Sequence, residues 1–201
     1  MIVKLRKEPI KYIEVTDFLD QPTLDRWIAT LDSLPSAAGD VTDPQNVSSV
    51  TAIKQNKNSW LSAPNDLGLE FRDRCWGQLL KDALENMDDY LFQAHRLVDE
   101  GSMLYSVYEQ GDYYQWHRDR TPYLTYNLVL ESAEEGGEFQ ISTSTQQPYT
   151  AQETLANTSN TLIIFPSFLL HQVRPVIRGQ RKTLQYFQNS SRTFSQSKPL
   201  A

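Results

Sequence analysis

The chain of 201 residues contains little cysteine and no long apolar run, and both shortages restrict what it can be. Cys75 is the single cysteine, so no disulfide can form within the chain and a cysteine-ligated zinc site is not expected. No segment approaches the roughly 20 apolar residues that a membrane-spanning helix needs. The first 15 residues, MIVKLRKEPIKYIEV, also lack the apolar stretch of a signal peptide. A reducing, cytoplasmic compartment is the simplest expectation.

The chain also lacks an excess of positive charge. Its formal net charge is −6, which argues against nucleic acid as a partner. The exception is a local cluster of four basic residues: Arg174, Arg178, Arg181 and Lys182. It forms either a rim for an acidic substrate or a binding site for a cofactor carboxylate with solvated arginines beside it. Hydrophobic residues make up 39% and charged residues 22% of the chain, as in ordinary soluble globular proteins. The composition does not indicate an oligomeric state.

Residues 1–100 are predicted to form a mainly helical support region. Residues 12–18 alternate as a strand, and Pro22 and Thr23 then open a helix that Pro35 ends, with Asp20 or Thr23 as its cap. A second helical pattern covers residues 67–94. The polar segment 36–66 between them is interpreted as a long loop with one short strand at 48–54. It is a candidate lid on the substrate side.

From Gly101 onward the pattern changes to short strands separated by turn residues, which predicts a sandwich, barrel or jelly roll. The predicted strands cover residues 103–109, 113–117, 124–130, 137–142, 161–165, 168–174 and 182–188. The core is therefore assigned to residues 101–190, and residues 191–201 to a loose tail. No internal repeat or linker divides the chain, so we expect a single domain spanning residues 1–201.

His117 and Asp119 are the first candidates for a metal site. Residues two apart in a strand point to the same side, so both side chains can face one metal ion. His171 follows an apolar stretch and supplies a third ligand if the fold brings it close. Two histidines and one carboxylate form the ligand set of non-haem Fe(II) oxygenases, which leaves metal positions open. A zinc hydrolase uses similar ligands, but the chain has no His-Glu-x-x-His helix or cysteine ligands to favour it.

Arg181 lies ten residues beyond His171 and is the candidate for binding an anion. Its guanidinium is a permanent cation whose planar fork suits a carboxylate. Together with the three candidate ligands, it indicates an enzyme that holds both a metal and a carboxylate compound.

Several stretches in this half of the chain resemble the Fe(II)- and 2-oxoglutarate-dependent dioxygenases, in particular the prolyl 4-hydroxylase-like branch. The matching stretches are Tyr108-x-x-Gly111, His117-Arg118-Asp119, Leu128-Val129-Leu130, Gly136-Gly137-Glu138-Phe139, Leu162 to Ser167, His171 to Val176, and Gly179 to Leu184. They follow one another in the family's order and spacing. The resemblance covers residues 103–190, a little under half of the chain.

The resemblance implies a mainly β fold: a double-stranded β-helix (jelly roll) core buttressed by N-terminal helices. It implies Fe(II) held by His117, Asp119 and His171, with 2-oxoglutarate bound to the metal and its distal carboxylate paired with Arg181. O2 is the other cosubstrate, and ascorbate is a candidate cofactor.

Three further residues are expected to contact 2-oxoglutarate. Tyr108 matches a tyrosine that often binds the distal carboxylate, and Thr183 faces the same way as Arg181 on its strand. A second tyrosine common in the family is replaced by Val129 here, and Asn127 on the same strand face is its candidate substitute.

The implied reaction hydroxylates a C–H bond and releases succinate and CO2. By resemblance, the leading substrate is a prolyl residue in a peptide or protein, and aromatic surfaces suit such extended segments. Candidate substrate contacts are Trp116, Tyr123 and Arg174. The same chemistry on a small molecule or a nucleic acid base is an alternative. A further alternative is a non-catalytic jelly-roll binding protein, because a fold does not dictate function.

Overall fold

The computed structural model describes residues 1–39, 53–61, 65–77, 101–119, 124–155 and 157–188, and in these ranges it has two helices and three antiparallel sheets. The larger sheet contains, in spatial order, β1 (Ile2–Arg6), β2 (Tyr12–Thr16), β12 (Thr161–Pro166), β8 (Leu124–Glu131), β15 (Arg181–Gln188), β6 (Gly101–Tyr108), β5 (Lys57–Leu61) and β3 (Ala37–Ala38). The second sheet contains β11 (Glu153–Leu155), β10 (Phe139–Ser142), β13 (Leu170–Val173), β7 (Tyr113–His117) and β4 (Lys54–Gln55). β9 (Glu135–Gly136) and β14 (Val176–Arg178) form a separate pair.

The inner faces of the two large sheets pack against each other. Ile163 and Phe165 of β12 meet Phe139 and Ile141 of β10 in one buried cluster, with the Phe139 and Phe165 rings 5.4 Å apart. Side chains alternate between the two faces of each strand, so every second residue of β8, β15 and β6 points into this interior. The interior is where the chain's polar candidate residues must be accommodated.

Two helices cover the outer face of the larger sheet. They are α1 (Gln21–Asp32) and α2 (Asp66–Cys75). Trp27 of α1 and Phe71 of α2 are fully buried, and Phe71 contacts the rings of Tyr126 and Tyr186 from the sheet. The helices therefore stabilise the sheet from behind and leave its inner face to the site.

The N-terminus of α1 agrees with the sequence. The carboxylate of Asp20 accepts a hydrogen bond of 2.9 Å from the backbone N–H of Thr23, as a capping residue does. In the second helical pattern, α2 ends at Cys75, and residues 78–94 lie outside the described residues. Among the residues that are described, no helix is long and apolar enough to span a membrane.

The described parts of the segment 36–66 contain more strand than its polar composition predicts. Of the strand expected at 48–54, only residues 53 and 54 are described, and Lys54 begins β4 (Lys54–Gln55); β3 at 37–38 and β5 at 57–61 were not predicted. Residues 48–52 lie outside the described residues. The strand β5 forms because it pairs with β6. This long-range pairing cannot be detected from the local sequence. Residues 54–61 therefore belong to the sheets that enclose the interior.

The seven strands predicted after Gly101 all have a counterpart, in β6, β7, β8, β10, β12, β13 and β15. The short strands β9, β11 and β14, and β1 near the N-terminus, were not predicted. Three residues or fewer form β9, β11 and β14, which is too short for alternation to be visible in the sequence.

Gly136 and Gly137 connect β9 to β10. Both have positive φ, +78° and +68°, which residues other than glycine rarely adopt. A Cβ on Gly137 would lie 3.2 Å from Cδ of Arg181. The glycine pair thus turns the chain and leaves room for the Arg181 side chain.

The carboxylate of Glu70 joins the two helices. It accepts hydrogen bonds from the guanidinium of Arg26 (2.8 Å) and the indole N–H of Trp27 (3.0 Å), and Arg74 approaches at 3.4 Å. Burial alone would raise the pKa of Glu70, but the hydrogen bonds from Arg26, Trp27 and Arg74 hold it below 4.5. The ionised form is therefore the one that stabilises the helix pair.

Replacing this carboxylate, in Glu70→Gln, is expected to lower the free energy of unfolding by about 1 kcal/mol at neutral pH. Because the pKa of Glu70 is depressed in the folded state, its charge stabilises fully above pH 4.5 and loses its effect as the pH falls through the folded-state value. Urea unfolding of both proteins from pH 7 downward measures the difference. A difference that did not change with pH would contradict the assignment to charge.

Candidate metal and cosubstrate site

The pairing of β7 with β13 brings the two histidines together. His117 lies directly opposite His171 in the antiparallel register, and Asp119 follows two residues after His117. His117 Nε2 lies 4.0 Å from one carboxylate oxygen of Asp119, and His171 Nε2 lies 3.7 Å from the other. One ligand atom from each residue falls within 4.8 Å of the other two. The three sequence-predicted ligands therefore form one cluster.

Both imidazole rings are oriented by the backbone. His117 Nδ1 lies 2.8 Å from the carbonyl oxygen of Gln115, and His171 Nδ1 lies 2.8 Å from that of Leu169. A carbonyl only accepts hydrogen bonds, so Nδ1 of each ring carries the proton and Nε2 keeps its lone pair towards Asp119. Burial, together with the electrostatic effect of the neighbouring His171 and Lys54 side chains, holds the pKa of His117 well below 6.5. Its imidazole is thus neutral at physiological pH, as a metal ligand must be.

Two hydroxyl residues that the sequence did not single out fix Asp119. Thr125 Oγ1 donates a hydrogen bond of 2.8 Å to Oδ2 of Asp119, and Ser167 Oγ lies 2.9 Å from Thr125 Oγ1. The backbone N–H of Asp119 also donates to the carbonyl of Ser167, at 3.1 Å. Asp119 is therefore held by hydrogen bonds to β8 and to the turn that leads to His171. The signal that could have found Thr125 is a hydroxyl at an inward position of an apolar strand.

This set of donors suits Fe(II). Two imidazole nitrogens and one carboxylate oxygen form one face of a coordination sphere, and the opposite face remains available for other ligands. Zinc accepts the same atoms, so the ligand types alone do not select the metal.

Arg181 is the second element of the site, and it is almost completely buried, with 1% of its surface exposed. It begins β15 opposite Tyr108, and its guanidinium carbon lies 5.7 Å from the centre of the Tyr108 ring. Its Nε, Nη1 and Nη2 have no hydrogen-bond partner within the described part of the chain. Burial lowers the pKa of Arg181 to about 10, so the group is still a cation at neutral pH. A buried cation with three unsatisfied donors fits a bound carboxylate.

The residues predicted to accompany Arg181 point into the same interior. Thr183 is the next inward residue of β15 and is fully buried. Asn127 of β8 is 3% exposed, and its side-chain nitrogen has no partner among the residues described. Burial raises the pKa of Tyr108 to about 12, so its phenol remains protonated and can donate a hydrogen bond.

The candidate substrate residues are more scattered. Trp116 precedes His117 in β7, and the centroid of its ring lies 6.4 Å from that of the Tyr149 ring. Arg174 lies on the exposed surface just after β13, with its backbone N–H bonded to the carbonyl of Glu138. Tyr123 lies outside the described residues. An exposed aromatic residue that the sequence analysis did not select, Phe168, lies between Ser167 and the His171 strand and is 63% exposed.

Removing the hydroxyl that fixes Asp119, in Thr125→Val, is expected to weaken the binding of a divalent metal about 10- to 100-fold, because outer hydrogen bonds orient metal ligands. Calorimetric titration with Mn(II) measures the affinity. Thr161→Val is the matched control, since Thr161 is also buried but its Oγ1 has no partner in the described residues. Equal losses in the two variants would mean that Thr125 does not act on the metal site.

Comparison with known proteins agrees with this geometry. Residues 103–189 match the model of the 2OG-Fe(II) oxygenase superfamily. That segment contains every residue of the metal cluster together with Arg181, Thr183, Tyr108 and Asn127. None of the curated proteins matches the chain.

Solved structures with low sequence identity have the same fold. A prolyl hydroxylase from Trichoplax adhaerens, in complex with a peptide fragment of the hypoxia inducible factor oxygen degradation domain, has a TM-score of 0.67 at 15% identity over 94% of this chain and 87% of its own. A Pseudomonas putida prolyl-4-hydroxylase has a TM-score of 0.59 at 15% identity over 89% and 92%. The viral collagen prolyl hydroxylase of Paramecium Bursaria Chlorella virus-1, in its 2OG complex, has a TM-score of 0.57 at 18% identity over 89% and 96%.

These likenesses confirm the predicted jelly-roll core with its supporting helices. The matching superfamily segment, the fold and the His-Asp-His cluster agree with one another. The match over residues 103–189 and the metal-ligand residues within it therefore support an oxygenase of the 2OG-Fe(II) type, and the chain has the fold of prolyl hydroxylases.

Proposed function

We propose that the protein hydroxylates a C–H bond of a prolyl residue in a peptide or protein, using Fe(II), O2 and 2-oxoglutarate and releasing succinate and CO2. The observation that carries this proposal is the buried guanidinium of Arg181, whose three nitrogens lack partners in the described residues. The three candidate metal ligands alone would suit many kinds of metalloenzyme. The candidate metal ligands together with a buried arginine that can bind a carboxylate suit a metal-bound 2-oxo acid with a second carboxylate.

In this proposal His117, Asp119 and His171 hold the iron. When bound, the iron and 2-oxoglutarate together supply the oxidising chemistry, in which O2 is consumed, 2-oxoglutarate is decarboxylated and one oxygen atom enters the substrate. Ascorbate is proposed as a reductant that keeps the iron in the ferrous state. Thr125 and Ser167 keep the Asp119 carboxylate in one orientation, so that its free side remains directed at the metal.

Arg181 would bind the distal carboxylate of 2-oxoglutarate through its planar fork. Tyr108, protonated at neutral pH, would donate a further hydrogen bond to the same carboxylate. Asn127 of the neighbouring strand β8 would offer its side-chain N–H groups, which have no partner among the described residues. A cosubstrate held at both ends in a buried pocket is positioned for reaction and shielded from water.

The proposal of a peptide substrate is supported by the aromatic residues beside the ligands. Trp116 and Tyr149 form one pair next to His117, and Phe168 protrudes from the turn before His171. Aromatic surfaces suit extended, proline-rich segments, whose conformation is largely fixed before binding. The prolyl hydroxylases with the same fold, one of them bound to a peptide fragment, support the same choice.

Replacing the buried guanidinium, in Arg181→Met, is expected to raise the dissociation constant for 2-oxoglutarate at least about 30-fold, because the distal carboxylate loses its salt-bridge partner. Mn(II) affinity should change little. Calorimetry on the Mn(II)-loaded protein measures both constants. Arg178→Met is the control, because Arg178 is an exposed arginine that pairs with Glu134 on the surface. Unchanged 2-oxoglutarate affinity in Arg181→Met would remove Arg181 from this role.

Substrate choice is tested by succinate release in the presence of Fe(II), 2-oxoglutarate, O2 and proline-rich peptides. We expect release above the peptide-free background and a mass gain of one oxygen atom on the peptide. The same peptides with alanine in place of proline should give neither. Succinate release stimulated only by small molecules or nucleotides would retain the oxygenase and reject the prolyl substrate.

A further inference from the structure

A row of polar side chains crosses the interior from the edge strand to the cosubstrate pocket. It consists of Lys54 of β4, Asn58 of β5, Ser106 of β6, and Gln185 and Thr183 of β15. Lys54, Asn58, Ser106 and Thr183 are buried, with 5%, 8%, 1% and 0% of their surfaces exposed, and Gln185 is half-buried. Asn58 lies opposite Ser106, and Ser106 lies opposite Thr183, so the register of three strands builds the row.

The ammonium of Lys54 determines the direction of the hydrogen bonds in this row. An ammonium only donates, so the atom of Asn58 that lies 2.9 Å from Lys54 Nζ must be the amide oxygen. The amide nitrogen of Asn58 then faces Ser106 Oγ at 2.8 Å and the carbonyl of Lys57 at 3.1 Å, and it donates to both. The side-chain nitrogen of Asn56 lies 2.9 Å from the same atom, so the Asn56 amide must turn as well and present its oxygen to Asn58. With the opposite orientation the Asn58 oxygen would face away from the ammonium of Lys54.

The direction continues to β15. Because Ser106 accepts from Asn58, its single hydrogen is available for Gln185 Oε1, at 3.2 Å. The amide nitrogen of Gln185 therefore faces Thr183 Oγ1 and donates to it at 2.7 Å. Thr183 accepts this bond and keeps its own hydrogen for another acceptor. Every link has one donor and one acceptor, from Lys54 to Thr183.

We propose that this relay turns the hydroxyl of Thr183 into an obligatory donor to the distal carboxylate of 2-oxoglutarate, with Gln185 as the positioning residue. The proposal rests on the proposed function, since it concerns the same pocket. If Gln185 instead accepted from Thr183, the hydroxyl would present a lone pair to the carboxylate. The relay therefore favours 2-oxo acids with a second carboxylate over those that end in a methyl group.

The test compares two ligands on the Mn(II)-loaded protein. 2-Oxoglutarate carries the distal carboxylate, and 2-oxopentanoate has the same metal-binding end but terminates in a methyl group. Gln185→Glu keeps the size of the side chain but replaces the donor by an acceptor, so that Thr183 must donate to residue 185. We expect its dissociation constant for 2-oxoglutarate to rise about 10- to 100-fold, and that for 2-oxopentanoate to stay within about 2-fold.

The neutral variant Gln185→Met removes the donor without adding charge, and we expect a rise of about 5- to 10-fold for 2-oxoglutarate only. Gln140→Met is the control, because Gln140 is bonded to Thr154 and Gln172 on the other face of β10. It should bind both ligands as the unmodified protein does.

A double-mutant cycle of Gln185→Met with Thr183→Val should be strongly non-additive, since Gln185 acts through the Thr183 hydroxyl.

The outcomes separate this proposal from the proposed function. If the unmodified protein binds 2-oxoglutarate and the Gln185 variants bind it equally well, or lose both ligands alike, the relay is wrong and the oxygenase assignment stands. Additive effects in the cycle would also overturn the relay. If the unmodified protein does not prefer 2-oxoglutarate to 2-oxopentanoate, the carboxylate receptor itself is wrong, and both proposals fail.

Discussion

The burial of the Arg181 guanidinium is the constraint on which the rest of the site depends. A cation removed from water is costly unless an anion and hydrogen-bond acceptors compensate for it. Here the three guanidinium nitrogens have no such partner in the described residues, and Gly137 keeps the space around the side chain open. The fold stabilises this arrangement because α1 and α2 provide a separate apolar core on the opposite face of the sheet. The interior can therefore be polar.

The register of the strands places Arg181 and the candidate metal ligands in the same interior. Thr125, which bonds Asp119, and Asn127 occupy successive inward positions of β8, and Thr183 and Arg181 occupy inward positions of the adjacent β15. Across the interior, β7 and β13 bring His117 and His171 together. One end of the interior thus holds the proposed metal ligands, and the other holds the proposed binding group for a carboxylate. A molecule with a 2-oxo acid at one end and a carboxylate at the other matches both ends.

The candidate metal ligands can be selected from the sequence because two of them lie close together in it. His117 and Asp119 are only two residues apart, at the end of β7 and just beyond it, and the order of strands after Gly101 follows from alternation and turn residues. Lys54, Asn58, Ser106 and Thr125 were not selected, since each acquires its role only through a partner on another strand. The segment containing Lys54 and Asn58 has the composition of a loop and becomes part of two sheets by pairing with β7 and β6. Long-range register was the information that the sequence alone could not supply.

The central claim, that His117, Asp119, His171 and Arg181 form one centre for Fe(II) and 2-oxoglutarate, is tested most directly by visible absorption under nitrogen. Adding 2-oxoglutarate to the protein with Fe(II) should produce a metal-to-ligand charge-transfer band. The band should be absent in His171→Ala and should need much more 2-oxoglutarate in Arg181→Ala. Absence of the band in the unmodified protein, or an unchanged titration in both variants, would contradict the account.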